Sequence, residues 1–190
     1  MVRTMPAGGE AAAIDTIVLA FAADPMARWC MPGSHDYLTN MPRFTRAFAG
    51  AAFLHGSAHC TEDGHGAALW LPPNVDVDQT ALVEVLESSV SKSVLGDLFA
   101  VFEQMGKYHP AQPHWYLPLI GVDPAYCGRG YGGALMKHAL EQCDRDHQPA
   151  YLESSNPRNV SLYQRHGFEA LGTIQVGTSP PVVPMLRKAR

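Results

Sequence analysis

Apolar positions in this chain recur first with a helical period and then with a strand period, several times over. Ile14, Ile17, Val18, Phe21 and Ala22 fall on one stripe, which predicts an amphipathic helix over 14–23 closed by Asp24-Pro25. Another helix is expected within 36–54. Ser57 to Thr61 and Gly66 to Leu71 read as two strands of a hairpin around Glu62-Asp63-Gly64-His65, and Pro72-Pro73 ends the second. Leu82, Val85, Leu86, Val90 and Val94 return to a helical period over 80–94, and a further helix runs from Leu98 to Tyr108 beyond Gly96. The apolar run 114–122 is a strand with Pro118 inside it. A proline there removes a ladder donor and argues for an edge, a bulge or a parting of strands.

The pattern closes with a helix over 131–143, whose Leu135, Met136, Ala139, Leu140 and Cys143 can face a sheet, and a strand at 150–153. A short helix follows at 159–166 with Gly167 as its cap, then a hairpin of 169–177 with 182–187. No repeat, low-complexity run or interior boundary interrupts the chain, and its 190 residues suit one domain spanning 1–190.

The most informative stretch is 119–133, LIGVDPAYCGRGYGG, where the strand passes through Val122-Asp123-Pro124 into a glycine-rich turn that opens a helix near Tyr131. Gly128, Gly130, Gly132 and Gly133 let the backbone approach a ligand and take up positive φ. The helix start presents unpaired N–H groups and the positive end of its dipole, so the natural occupant is a phosphate or pyrophosphate. A P-loop does not fit, because Ala134-Leu135 follow the last glycines instead of Lys and Ser or Thr. Gly128, Gly130 and Gly133 do spell GxGxxG with Glu153 about 20 residues on, as a dinucleotide site would want. Too little chain follows, however, for a doubly wound sheet.

The window Cys127-Gly128-Arg129-Gly130-Tyr131-Gly132 resembles the cofactor loop of the GNAT superfamily of N-acetyltransferases, which reads Arg or Gln, two residues, Gly, one residue, Gly or Ala. Cys127 departs from it at the first position. The family grips the acetyl-CoA pyrophosphate largely through backbone N–H groups, so the departure removes one side-chain contact, for which Arg129 offers a charge. Residues 150–168, AYLESSNPRNVSLYQRHGF, resemble the family's Asn-x-x-x-x-x-Tyr-x-x-x-Gly-Phe signature, with Asn156 or Asn159 as the Asn and Tyr163 as the tyrosine. The order of Asp63 to Pro73, His114 to Leu117 and the block after Tyr151 is similar to the puromycin N-acetyltransferase branch.

That resemblance implies an α/β fold, the GNAT acyl-CoA N-acyltransferase fold, in which helices flank a mixed central sheet with splayed parallel strands. It implies acetyl-CoA as cofactor, its pantetheine arm along Ile120, Gly121 and Val122. Cys127, Gly128, Arg129, Gly130, Tyr131, Gly132 and Gly133 would hold the pyrophosphate, with Ser154, Asn156 and Asn159 on the pantetheine or adenosine side. Tyr163, by position alone an aromatic packed in the core, would protonate the leaving thiolate. Backbone N–H groups near Ile120 to Val122 would receive the carbonyl oxygen. Glu153 and His114 are the two candidates for the base that takes the ammonium proton. Trp29, Tyr37, Trp70, Trp115 and Tyr116 are candidates for an acceptor pocket, although large aromatics are more often core.

The expected reaction is acetyl transfer to a primary amine of a small molecule by direct attack. A peptide or protein amine, a longer acyl-CoA, and a non-catalytic sensor that merely binds CoA remain as alternatives. A net charge of -4 gives no reason to expect a nucleic acid or an anionic membrane as partner. Cys30, Cys60, Cys127 and Cys143 form no CxxC pair, and the nine histidines show no HExxH spacing, so neither a disulfide framework nor a metal is expected. Glu10 and Asp15 interrupt the apolar run 11–23, which is too short to cross a bilayer, and a cytoplasmic location follows as the expectation. A homodimer is compatible with the resemblance.

Overall fold

Strand β3 (Gly66–Leu71) is buried at every position because its alternate side chains feed two different cores. Ala67, Leu69 and Leu71 join one apolar cluster, and Ala68 and Trp70 join another on the opposite face. Burial of large side chains such as Leu69 and Trp70 contributes roughly 1.5–3 kcal/mol each, which is why β3 forms the middle of the molecule. The computed structural model describes residues 1–190. Its remaining strands are β1 (Val2–Thr4), β2 (Ala58–Thr61), β4 (Trp115–Val122), β5 (Ala150–Ser154), β6 (Glu169–Ala170) and β7 (Val183–Arg187). The seven lie in one sheet in the order β1-β2-β3-β4-β5-β7-β6. Only β4 and β5 are parallel, joined by a helical crossover, so the sheet is mixed.

Helices cover both faces. Against the first cluster lie α1 (Glu10–Ala20), α2 (Pro25–Cys30), α3 (Ser34–Ala49), α4 (Ala51–Leu54), α5 (Gln79–Ser89) and α6 (Lys92–Tyr108). The other face is covered by α7 (Tyr131–Arg145) and α8 (Val160–Arg165). All five apolar residues expected to face the sheet from α7 are buried.

The structure departs from the sequence reading in four places, the first being α2, a helix that starts at the Asp24-Pro25 pair expected only to close the one before it. The break between α5 and α6 comes at Val90-Ser91, where both residues take extended backbone, and Gly96 sits inside α6. The closing hairpin shrinks to two residues of β6 against β7, with one isolated bridge between Ile174 and Val182, because Pro180, Pro181 and Pro184 supply no ladder donors. Strand β1, too short and too polar to show a period, pairs with β2 at the sheet edge.

Candidate active site

Strands β4 and β5 pair at only three positions, Trp115 with Ala150, Tyr116 with Tyr151 and Leu117 with Leu152, and then part. The parting begins at Pro118, which has no N–H to give. The same residue lies in a bulge against β3. Leu69 faces Leu119 and Leu71 faces Tyr116, so three steps on β4 match two on β3. The extra residue reverses the side-chain alternation. Trp115 and Leu117 point to the second core, whereas Leu119, also odd-numbered, points to the first. Gly121 then faces α1, where an added Cβ would come within 2.5 Å of Ala20 Cβ, so only glycine lets the helix lie this close. On the open side, every second residue from Leu119 to Val122 turns its backbone polar groups away from β3 into the gap.

The gap opens into a cavity of about 820 Å³ that touches Ile120, Gly121, Val122, Glu153 and Tyr163 and ends at the glycine loop. Gly128 and Gly130 hold φ of 77° and 87°, a region open to glycine and costly for other residues. Gly132 and Gly133 are helical instead. Their lack of side chains lets α8 approach, since a Cβ on Gly132 would meet Leu162 at 3.3 Å. The first bond to close α7 is Ala134 N–H to Gly130 O at 3.0 Å, and the backbone N–H groups from Gly128 to Gly133 have no backbone partner. Successive free donors at a helix start fit a pyrophosphate. Arg158 and Arg165 also line the cavity.

Two contacts that the sequence did not announce brace this loop from the β2–β3 turn. Tyr131 Oη donates to Asp63 Oδ2 at 2.5 Å, and the rings of His65 and Tyr126 stack. Hydrogen bonds from Thr61 and Tyr131 hold the Asp63 carboxyl well below the usual carboxylate range. Arg129 turns away from the cavity lining, with its guanidinium 4.9 Å above the Tyr126 ring.

Tyr163 is 5% exposed and borders the cavity. Burial first, and then the charge of Asp24, push its hydroxyl above its ordinary pKa, so the group stays neutral near neutral pH. Asp24, read from sequence only as a helix stop, is buried in the cavity wall. Its Oδ1 accepts from Met26 and Ala27 N–H as the N-cap of α2, and its Oδ2 accepts from Ser155 Oγ at 2.7 Å. Burial outweighs these bonds and raises its pKa.

Glu153 also faces the cavity, at the end of β5 where the strands have parted, with a side chain only 4% exposed. His109 Nε2 lies 3.1 Å from its Oε1, near enough for an ion pair but off-line for a full hydrogen bond. The hydroxyls of Tyr116 and Tyr151 face the same carboxylate. Burial, reinforced by the Glu153 charge, keeps both far above the ordinary tyrosine pKa and therefore protonated. The contact of Tyr151 is loose, since its Oη has no well-formed hydrogen bond.

Several residues singled out from sequence lie elsewhere. His114 borders a second cavity with Tyr116 and reaches Glu153 only through His109. Trp70 is fully buried on the opposite face of the sheet. Tyr37 is buried and donates to Val18 O at 2.6 Å, and Trp29 donates to Thr178 Oγ1 at 3.2 Å; neither lines the large cavity. Trp115 is core and donates to Asp146 Oδ2. Asn156 and Asn159 border the cavity, while Ser154 is turned inward with its hydroxyl on Asn156 O. The apolar wall comes instead from α2, α3 and α6, including Met26, Phe44, Phe48 and Phe102. His109 and Asp24 had no signal beyond being polar residues at helix ends.

The sequence pattern of the Acetyltransferase (GNAT) family matches residues 96–168, from within α6 to the end of the block that carries Tyr163. An uncharacterised N-acetyltransferase of Schizosaccharomyces pombe is 34% identical over 71 residues, 37% of this chain and 29% of the relative's length. The structure is similar to that of a protein from Corynebacterium glutamicum described as histone acetyltransferase HPA2 and related acetyltransferase, with a TM-score of 0.69, 24% identity, and 100% of this chain and 96% of that one covered. It is similar as well to a polyamine N-acetyltransferase of Drosophila melanogaster, at TM-score 0.67 and 16% identity over 99% of both chains. Arylalkylamine N-acetyltransferase 2 from Aedes aegypti gives 0.68 and 14%, over 100% of this chain and 98% of that one. The chain thus has the GNAT fold, and over residues 96–168 it carries the sequence pattern of the GNAT acetyltransferase family.

Proposed function

We propose that this protein is an acetyl-CoA-dependent N-acetyltransferase that acetylates a primary amine of a small molecule by direct attack. The observation that carries this reading is the continuity of one cavity from the free N–H groups of Gly128 to Gly133, through the gap beyond Leu117, to Tyr163 and Glu153. Acetyl-CoA, when bound, would supply an acetyl group activated as a thioester.

The chain's own groups have distinct tasks in this scheme. The loop donors and Arg158 hold the negative end of the cofactor. Backbone donors among Ile120 to Val122 orient a carbonyl oxygen and stabilise the negative charge that develops on it. Glu153 takes a proton from the incoming ammonium, and Tyr163 holds one at its Oη for the departing sulfur. The apolar wall from α2, α3 and α6 excludes water and fits the hydrophobic body of an amine.

The small-amine class is favoured by neighbours whose names specify arylalkylamines and polyamines. Within it, the order of segments around Asp63 to Pro73 and His114 to Leu117 favours relatives of the puromycin N-acetyltransferases. A cytoplasmic location is part of this reading; no helix is long and apolar enough to cross a membrane. The test is thiol release from acetyl-CoA against a panel of primary amines that includes agmatine, arylalkylamines and puromycin, with calorimetric titration of acetyl-CoA alongside. Release with one amine supports the reading. Tight binding without release from any amine would favour a CoA sensor, an alternative to which Cys127 at the first loop position lends weight.

A further inference from the structure

Glu153, His109 and His114 form a line of polar atoms that joins two cavities. Glu153 faces the large one, whereas His109 and His114 border a second, of about 620 Å³, whose lining includes Asp76 and Tyr116. His109 Nε2 is 3.1 Å from Glu153 Oε1, and His109 Nδ1 is 3.2 Å from His114 Nε2.

The hydrogens along this line follow from what each neighbour can do. His114 Nδ1 lies 2.9 Å from the carbonyl oxygen of Gln112, which only accepts, so Nδ1 carries a hydrogen. In a neutral ring His114 Nε2 is then bare, and the hydrogen it receives belongs to His109 Nδ1. A neutral His109 would therefore turn a bare Nε2 toward Glu153 Oε1. That nitrogen lies 3.1 Å from Oε1 and off-line for a hydrogen bond, so it is placed to receive a proton that Glu153 takes up rather than to hold one at rest. The other titratable groups around the line are Tyr116 on β4 and Tyr151 on β5, both neutral donors, with Tyr108 of α6 near Tyr151 and Asp76 near His114.

We propose that His109 is the positioning and proton-passing partner of Glu153, leading the proton taken from the acceptor ammonium through His114 to the second cavity. This rests on the acetyltransferase reading above. One proton enters and one leaves. The ammonium N–H bond breaks as an O–H bond forms on Glu153, that O–H bond breaks as an N–H bond forms on His109 Nε2, the His109 Nδ1–H bond breaks as an N–H bond forms on His114 Nε2, and the His114 imidazolium releases its Nδ1 proton to water. Exchange of the neutral rings' tautomers through that water restores the starting state. Burial, the largest influence on His114, keeps its imidazolium pKa below the ordinary histidine value even though the Gln112 carbonyl, Glu153 and Asp76 oppose it, so a proton arriving there departs.

The test combines kinetics with imidazole spectroscopy. His109→Gln is expected to lower kcat about 10- to 100-fold with the KM for acetyl-CoA unchanged. In His109→Ala, added imidazole is expected to restore kcat by filling the space left beside the second cavity. Wild-type kcat in both variants, or a loss that imidazole does not rescue, would overturn the relay. In 15N-histidine spectra of the whole protein, His114 should carry its hydrogen on Nδ1, and Glu153→Gln should shift His109 and His114 together. Independent titration of the two rings sinks the relay whether or not any amine is turned over. Linked rings in a protein that acetylates nothing would instead overturn the acetyltransferase reading and, with it, the proton's proposed source.

Discussion

Tyr131, the first residue of the helix that follows the glycine loop, donates its hydroxyl to Asp63, 68 residues earlier in the turn between β2 and β3. The bond is at the surface, so it does little for global stability. Its effect is on the loop, which it ties to the sheet before any anion arrives. Tyr131→Phe should therefore weaken acetyl-CoA binding about 2- to 10-fold, the usual range for one net hydrogen bond, while the unfolding midpoint stays near that of the wild type. Calorimetric titration and urea unfolding of the same variant measure both.

Tyr163→Phe separates chemistry from binding. The ring continues to fill its buried site, and only a proton donor is lost. Turnover with a competent amine should fall about 10²- to 10⁴-fold with acetyl-CoA affinity unchanged. Because burial raises the Tyr163 pKa, the wild-type pH profile should show no alkaline loss of activity from this group between pH 6 and about 9. A variant with full kcat would remove Tyr163 from the scheme.

Among the cysteines, Cys127 alone is exposed, and it stands in the glycine loop. Burial pushes the thiols of Cys30 and Cys143 up to about 12, and Cys60 is buried in β2. A maleimide should label the folded protein once, at Cys127, and prior addition of CoA should slow the reaction. Mass spectrometry of the labelled peptide reads the site, and a second labelled cysteine in the native state would contradict the burial.

Stability should decline in mild acid through His59. Its ring is 9% exposed between β2 and α7, with His138 4.8 Å away and Nδ1 without a partner. Burial first, and then His138, lower its pKa from 6.5 to about 4. Between those values the unfolded chain binds a proton that the folded chain does not, so stability rises with pH there and is lost as pH falls from 6.5 toward 4. The full effect, reached only below pH 4, is on the order of 3 kcal/mol. Urea midpoints at pH 7 and pH 5 should differ more for the wild type than for His59→Leu.

The glycine loop was legible because its chemistry is local: strand, positive-φ glycines and helix start are consecutive in sequence. Pro118 announced a disturbance for the same reason. What it did to side-chain direction was not legible, since the reversal between Leu117 and Leu119 depends on register with β3. The acceptor aromatics were misplaced by the same ignorance of facing. Trp70 and Tyr116 look equivalent in a list of aromatic residues, and the pleat sends them to opposite sides of the sheet. His109 ends α6 at no distinctive spacing from Glu153, and only the fold brings its ring against Tyr151 and Glu153 of β5. The helix break at Ser91 was missed because Gly96 is the stronger local signal, and tertiary packing overrode it.

Three residue pairs join β1 through β4 to β5 through β7 across the middle of the sheet. A molecule that hydrogen-bonds to both free edges beyond Leu117 would act as a rivet between two half-sheets. At a free concentration 100 times its Kd, such a ligand adds about 2.7 kcal/mol to the stability of the whole. The chain's resistance to heat and proteolysis would then be read partly from the supply of that ligand, making the gap a gauge of its surroundings as well as a place for chemistry.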